Sequence, residues 1–116
     1  MAVSPSSLAA RRDDWKKVLN VWYKAVAYLK DPATSEDAIS IMAARVGLEP
    51  AEYKSFVNGT NILTLEEAKK YAPNADGFKY LYGSSKISDD FNVAKKVYGE
   101  PEKVDAYIDT SLMNEL

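Results

Sequence analysis

The chain has 116 residues, 47% hydrophobic and 28% charged, with a formal net charge of -2. That is the length and make-up of a chain able to bury a core without metals or disulfides, and unlike that of a disordered segment. With no Cys and no His, it lacks the usual zinc ligands, thiol chemistry, disulfides and the common neutral-pH general base. The mixed charge leaves no basic footprint for nucleic acid, and no apolar run approaches the roughly 18 residues a membrane span needs.

Ser6 or Ser7 is placed to cap a first helix. Its apolar face carries Leu8, Trp15, Val18, Leu19, Trp22, Val26 and Leu29, spaced by three, four and seven residues. Arg11, Arg12, Asp13, Lys16, Lys17, Asn20 and Lys24 fill the other face, and Asp31-Pro32 stops the helix. A second helix is predicted from Thr34, where Asp37 three residues on makes a near relative of the capping box. Its stripe is Ile39, Met42, Ala43 and Val46, ended by Gly47. Pro50 suits the first turn of a short third helix that buries Tyr53, Phe56 and Val57 and ends at Asn58-Gly59.

Thr64-Leu65-Glu66-Glu67 is a full capping box and opens a fourth helix running to about Ala72, before Pro73. Residues 73–77 are loop-forming by composition. Tyr80, Ile87, Phe91, Ala94 and Tyr98 return at helical spacing despite Gly83, and Gly99-Glu100-Pro101 closes that helix. Asp109 is set to cap a last turn through Leu112 and Met113. No strand pattern stands out, so the fold class is all-α, with five or six short-to-medium helices in a single helical unit spanning 1–116.

The paired acids Asp13-Asp14, Glu66-Glu67 and Asp89-Asp90 point about 100° apart on a helix and do not converge on one atom, so solvated or capping roles are expected. Arg11 and Arg12 could pair with an anion. The simpler reading puts them on the exposed helix face, with the doublets Lys16-Lys17, Lys69-Lys70 and Lys95-Lys96. Asn58-Gly59-Thr60-Asn61 and Tyr82-Gly83-Ser84-Ser85 offer backbone N–H groups for an oxyanion, but fit no phosphate-loop or dinucleotide pattern. A helix stop accounts for the first, and a close helix crossing for the second. Among the aromatics, Trp15, Tyr23, Tyr28 and Tyr82 are the ones whose positions leave a ligand-stacking role open. No catalytic, ligand-binding or metal-binding residue can be assigned, and no cofactor is implied; neither enzymatic activity nor specific transition-metal binding is expected.

Residues 22–56 echo a tetratricopeptide unit, but its Leu-Gly step is missing and nothing recurs at its period. A more specific likeness lies in Ser35-Glu36-Asp37-Ala38-Ile39-Ser40-Ile41-Met42-Ala43, followed by Val46-Gly47-Leu48-Glu49-Pro50-Ala51-Glu52-Tyr53. Asn58-Gly59-Thr60, Leu63-Thr64-Leu65-Glu66-Glu67, Leu81-Tyr82-Gly83-Ser84 and Ile108-Asp109-Thr110-Ser111-Leu112 follow in order. Together these resemble the late helices of ABC-transporter solute-binding proteins of the nitrate/sulfonate/taurine and thiamine-precursor type. Residues 4–12 resemble the family segment that re-enters a helix after the last interlobe strand. Thr110 departs from the family's usual proline.

The resemblance implies a C-terminal fragment of a two-lobed α/β parent, periplasmic or extracellular, although this chain shows no signal peptide. Such a parent holds a small solute between its lobes and delivers it to an ABC permease. Its ligand contacts lie upstream, so the helices here would brace lobes and hinge, and the isolated chain is expected to self-associate. The alternative is a free-standing helical module that binds another protein through an apolar groove.

Overall fold

The computed structural model describes all residues, 1–116, and the fold is all-α without strands. Eight helices follow in order: α1 (Pro5–Ala10), α2 (Arg12–Lys30), α3 (Ser35–Val46), α4 (Pro50–Asn58), α5 (Leu65–Tyr71), α6 (Leu81–Ala94), α7 (Val104–Tyr107) and α8 (Ser111–Asn114). Five of them are seven residues or longer. Where the sequence suggests one helical unit, the chain divides into two compact ones, Met1–Thr64 and Leu65–Leu116.

In the first unit, the helix expected from Ser6 to Leu29 is broken at Arg11, which leaves helical geometry at φ -135°, ψ 39°. Ser4, not Ser6 or Ser7, caps α1: its Oγ accepts from the Ser7 N–H at 3.2 Å, with Pro5 in the first turn. The break frees the Ser7 hydroxyl to accept from the Trp15 indole N–H at 3.0 Å. On a straight helix those two residues would lie about 12 Å apart along the axis.

The α2–α3 connection is held by side chains. Asp31 Oδ1 accepts from the Ala33 N–H, the Thr34 hydroxyl donates to the Tyr28 carbonyl at 2.6 Å, and the Tyr28 hydroxyl donates to Asp37 at 2.7 Å. Thr34 therefore stands at the N-cap without capping through its side chain, and Asp37 serves the hairpin rather than a capping box. Gly47 ends α3 in the left-handed region at φ 71°, as its position predicts. α4 packs on α3, and Lys54 on α4 pairs with Glu36 on α3. Phe56, expected in the core, is 56% exposed; α3 is the helix α4 chiefly packs on, and Phe56 lies off that contact. The buried apolar side chains of this unit are Val26, Ala38, Ile39 and Ala43.

In the second unit, α5 begins directly after Thr64, where the capping-box motif places it. Gly83 lies in the first turn of α6, and its near neighbour is the 75–77 loop rather than a crossing helix. A Cβ there would stand 2.6 Å from both the Ala75 carbonyl oxygen and the Gly77 amide nitrogen, and against the Gly77 carbonyl as well. The helix ends at Ala94, short of the Gly99 stop. Lys96 takes the left-handed conformation at φ 59°, and the Val97 N–H closes back on the Asn92 carbonyl at 2.9 Å. Ala72, Tyr82 and Val104 are the buried apolar residues, with Asp89 among them.

These cores are thin: no large side chain is completely enclosed. The chain exposes 8417 Å², more than the roughly 7,600 Å² expected of two folded bodies sharing its mass equally. Replacing Gly83 by Ala forces the 75–77 loop to move and is predicted to cost about 1–3 kcal/mol in urea unfolding. Gly59→Ala, where the new Cβ meets neighbours at 3.6 Å and φ is -81°, is predicted to be neutral or slightly stabilising. Equal unfolding midpoints for the two variants would contradict the loop contact.

Candidate functional site

Several of the charged candidates are occupied with one another. Arg11 Nε donates to Asp14 Oδ2 at 3.1 Å, and Lys17 lies 3.7 Å from the other carboxylate oxygen. The Arg11 hydrogen bond, then its charge, holds Asp14 below the usual carboxylate range. Arg12 and Lys16 are half-buried and also engaged. On α3, the hydrogen bond from Lys54 lowers Glu36 in the same way. Asp13 and Asp14 lie in the first turn of α2, and Glu66 and Glu67 in that of α5. Lys69 and Lys70 sit in the last turn of α5, where cations suit the helix dipole, whereas Lys95 and Lys96 lie just past α6. No three carboxylates come together into a cluster able to hold a metal ion.

Asp89 departs from the solvated role expected of it. It is buried, and its carboxylate accepts the Tyr98 hydroxyl at 2.7 Å and the Glu102 N–H at 3.1 Å to each oxygen. These bonds fasten the irregular segment after α6 back onto that helix. The bond to Asp89 is also the largest cause of the raised Tyr98 phenol. Sequence inspection misses this role because Asp89-Asp90 looks like any exposed doublet and Tyr98 is read as one more residue of the apolar stripe.

Each of the two turn motifs already uses backbone donors within the chain. The Gly59 N–H donates to the Ser55 carbonyl at 3.2 Å and the Thr60 N–H to that of Val57 at 3.0 Å. In the second motif, the Ser84 N–H donates to the Tyr80 carbonyl at 2.8 Å, and the carbonyls crowding Gly83 would repel an anion.

Three of the four aromatics have hydrogen-bond partners within the chain. Trp15 donates to Ser7, and the buried Tyr82 donates to the Ile108 carbonyl at 3.0 Å. Tyr28 is bonded to Asp37, which raises its phenol pKa, while burial alone raises that of Tyr23. Two hollows open on the second unit. One, of about 270 Å³, is lined by Lys69, Asn74, Tyr82, Thr110 and Asn114; the other, of about 460 Å³, by Lys86, Glu102, Lys103 and Asp105. Lys86 is committed to Asn74, which in turn donates to Asp105. The larger hollow thus carries two cations and two carboxylates, with Lys86 and Asp105 joined through Asn74.

The feature left without a partner is apolar. On α2, Trp15, Leu19, Val26 and Leu29 turn inward, with Val26 only 3% exposed. Val18 and Trp22, assigned by spacing to the same face, are instead exposed, as are Val21, Ala25 and Tyr28. Those five residues fall within about 120° of helix arc, beside the packed face. They form a second stripe that α1 and α3 leave uncovered. Val21 and Ala25 escape a reading that fits one stripe per helix, although the run Val18, Val21, Ala25, Tyr28 has helical spacing itself.

No family model, no curated protein and no solved structure matches the chain. No helix is long and apolar enough to cross a membrane.

Asp89→Ala strands the Glu102 N–H and the Tyr98 hydroxyl and is predicted to cost about 1–3 kcal/mol, whereas Tyr98→Phe removes one bond and costs about 0.5–1.5 kcal/mol. Chemical denaturation of the two variants measures the difference. A larger loss for Tyr98→Phe would show that the ring, not the buried carboxylate, holds the segment.

Proposed function

We propose that this chain acts by docking, as a non-catalytic helical element whose α2 stripe lies against another protein surface. The observation carrying this reading is the exposure of Val18, Val21, Trp22 and Tyr28 along one side of α2. Fully burying one large apolar side chain is worth roughly 1.5–3 kcal/mol, so four together reward any complementary surface. Contiguous apolar patches mark interaction sites, and Trp and Tyr are the residues that most often anchor them.

The resemblance to the late helices of solute-binding proteins gives the docking role a specific setting. There the helices brace the lobes and hinge of a periplasmic protein that captures a nitrate, sulfonate, taurine or pyrimidine-precursor solute for an ABC permease. Ligand contacts would then belong to the sheet-bearing lobes and not to these helices, in keeping with side chains here that are engaged with one another. The second reading, a free-standing interaction module, is favoured by the buried residues that each compact unit has of its own.

An apolar fluorescent dye tests the docking surface: it is predicted to bind the chain, and Trp22→Lys to remove most of that binding while leaving the helical circular dichroism intact. Dye binding unchanged by the substitution would place the active surface elsewhere. The coding region upstream separates the two settings. Two sheet-forming lobes preceded by a secretory leader would support the solute-binding protein; an authentic start at Met1 would overturn it.

A further inference from the structure

We propose that Asn58 is a self-modifying site: its side chain cyclises onto the Gly59 nitrogen and opens to aspartate or isoaspartate, loosening the end of α4. This goes beyond the docking reading and stands or falls separately from it. Asn58 is the exposed last residue of α4, and the Gly59 that follows is exposed too, at φ -81°, ψ -4°. A glycine has no Cβ to shield its backbone nitrogen, so that nitrogen can come closest to the preceding side chain.

In the reaction, the Gly59 nitrogen gives up its proton and attacks Cγ of Asn58. The N–Cγ bond forms, the Cγ–Nδ2 bond breaks, and the side-chain nitrogen leaves as ammonia, taking the released proton. Water then opens the succinimide ring. Opening at one carbonyl leaves an ordinary aspartate; opening at the other carries the main chain through the side-chain carbon as isoaspartate. Water is the one reactant consumed, so neither oxidant nor cofactor is needed.

The other asparagines are shielded or tied down. Asn20 lies inside α2 before Val21, and Asn61 and Asn92 precede Ile62 and Val93, whose branched Cβ crowds the attacking nitrogen. Asn74 donates to Asp105 at 2.9 Å and accepts from Lys86 at 3.1 Å, and Asn92 donates to Tyr98 at 3.4 Å. Asn114 ends α8 as Asn58 ends α4, but Glu115 sets a Cβ beside its nitrogen.

The folded helix slows the step without blocking it. Cyclisation turns Asn58 out of helical geometry and breaks the 3.2 Å bond from the Gly59 N–H to the Ser55 carbonyl. Helix ends fray readily, and no atom outside α4 stands within 4 Å of a Cβ built on Gly59 to oppose it. Conversion adds one negative charge to a formal net of -2, at the helix end where the dipole disfavours it. Isoaspartate also lengthens the main chain by one carbon. That misplaces the Thr60 N–H and hydroxyl, which bond the Val57 and Phe56 carbonyls at 3.0 and 2.9 Å. The product is an α4 that ends early, reached irreversibly and without an enzyme.

The whole chain, incubated at physiological pH and temperature, is followed by peptide mass spectrometry, which locates each gain of one dalton. The expected result is conversion at Asn58 ahead of every other asparagine, faster still in urea, where no helix restrains it. Gly59→Ala, with its fold checked by circular dichroism, is expected to slow conversion roughly tenfold. The converted chain, separated by ion exchange, is expected to be cut within 59–64 by a broad-specificity protease several-fold faster than the parent. An Asn58 that stays intact in the folded chain while the chain in urea converts, or in both, overturns the proposal. So does conversion led by Asn61 or Asn114, or a rate indifferent to Gly59→Ala. Equal cutting of parent and converted chain overturns the loosening of α4.

Discussion

The packing of α2 against α3 constrains the whole first unit. Val26 from α2 is buried together with Ala38, Ile39 and Ala43 from α3, and all four side chains are small or β-branched. Small residues let the helices approach closely, while the Tyr28, Thr34 and Asp37 bonds lock the hairpin that joins them. One consequence is a rotation of α2 that turns Trp15, Leu19 and Leu29 toward the core. The other is that Val18, Val21, Trp22, Ala25 and Tyr28 are left uncovered beside the packed face of the same helix. An apolar arc wider than one helix contact cannot be satisfied by one neighbour, and the surplus is the most distinctive surface the chain has.

The second unit solves a different problem. Its helices are interrupted by irregular stretches before and after α6, which cannot hold themselves by regular backbone bonds. Asp89 supplies the missing partner for the stretch after α6, accepting from Tyr98 and Glu102; Gly83 lets the 75–77 loop that precedes α6 lie directly against its first turn. A buried carboxylate usually raises the question of catalysis. Here its accepted bonds come from the Glu102 backbone and the Tyr98 phenol, and they tie the segment after α6 to that helix.

Much of the fold was legible because punctuation residues act locally. Pro32, Gly47, Pro50, Thr64 and Pro73 set helix ends within a residue or two of where they occur, since each works through backbone geometry alone. The break at Arg11 was not legible: no proline or glycine marks it, and the Ser7–Trp15 bond that accompanies it joins residues eight apart. The early stop of α6 was hidden too, because Lys96 adopts a conformation that Gly99 was better suited to provide. The docking stripe was half visible. Spacing picked out Val18 and Trp22 as apolar-face residues, but which side of a broad apolar arc is covered depends on where α3 lands, and that is a tertiary fact. Family likeness rests on motif order in the sequence, and it bears on the setting of the stripe rather than on its geometry.

The central claim is that Trp22 stands uncovered in the single chain and is covered when the chain engages its partner surface. Trp15→Phe leaves Trp22 as the sole indole, and its quenching by acrylamide, followed from nanomolar to high micromolar concentration, reads that state directly. The account predicts full quencher access and red-shifted emission at high dilution, with protection and a blue shift as copies associate or as a protein partner is added. A blue-shifted, protected Trp22 at nanomolar concentration would mean that the chain covers the stripe by itself, and would contradict the account.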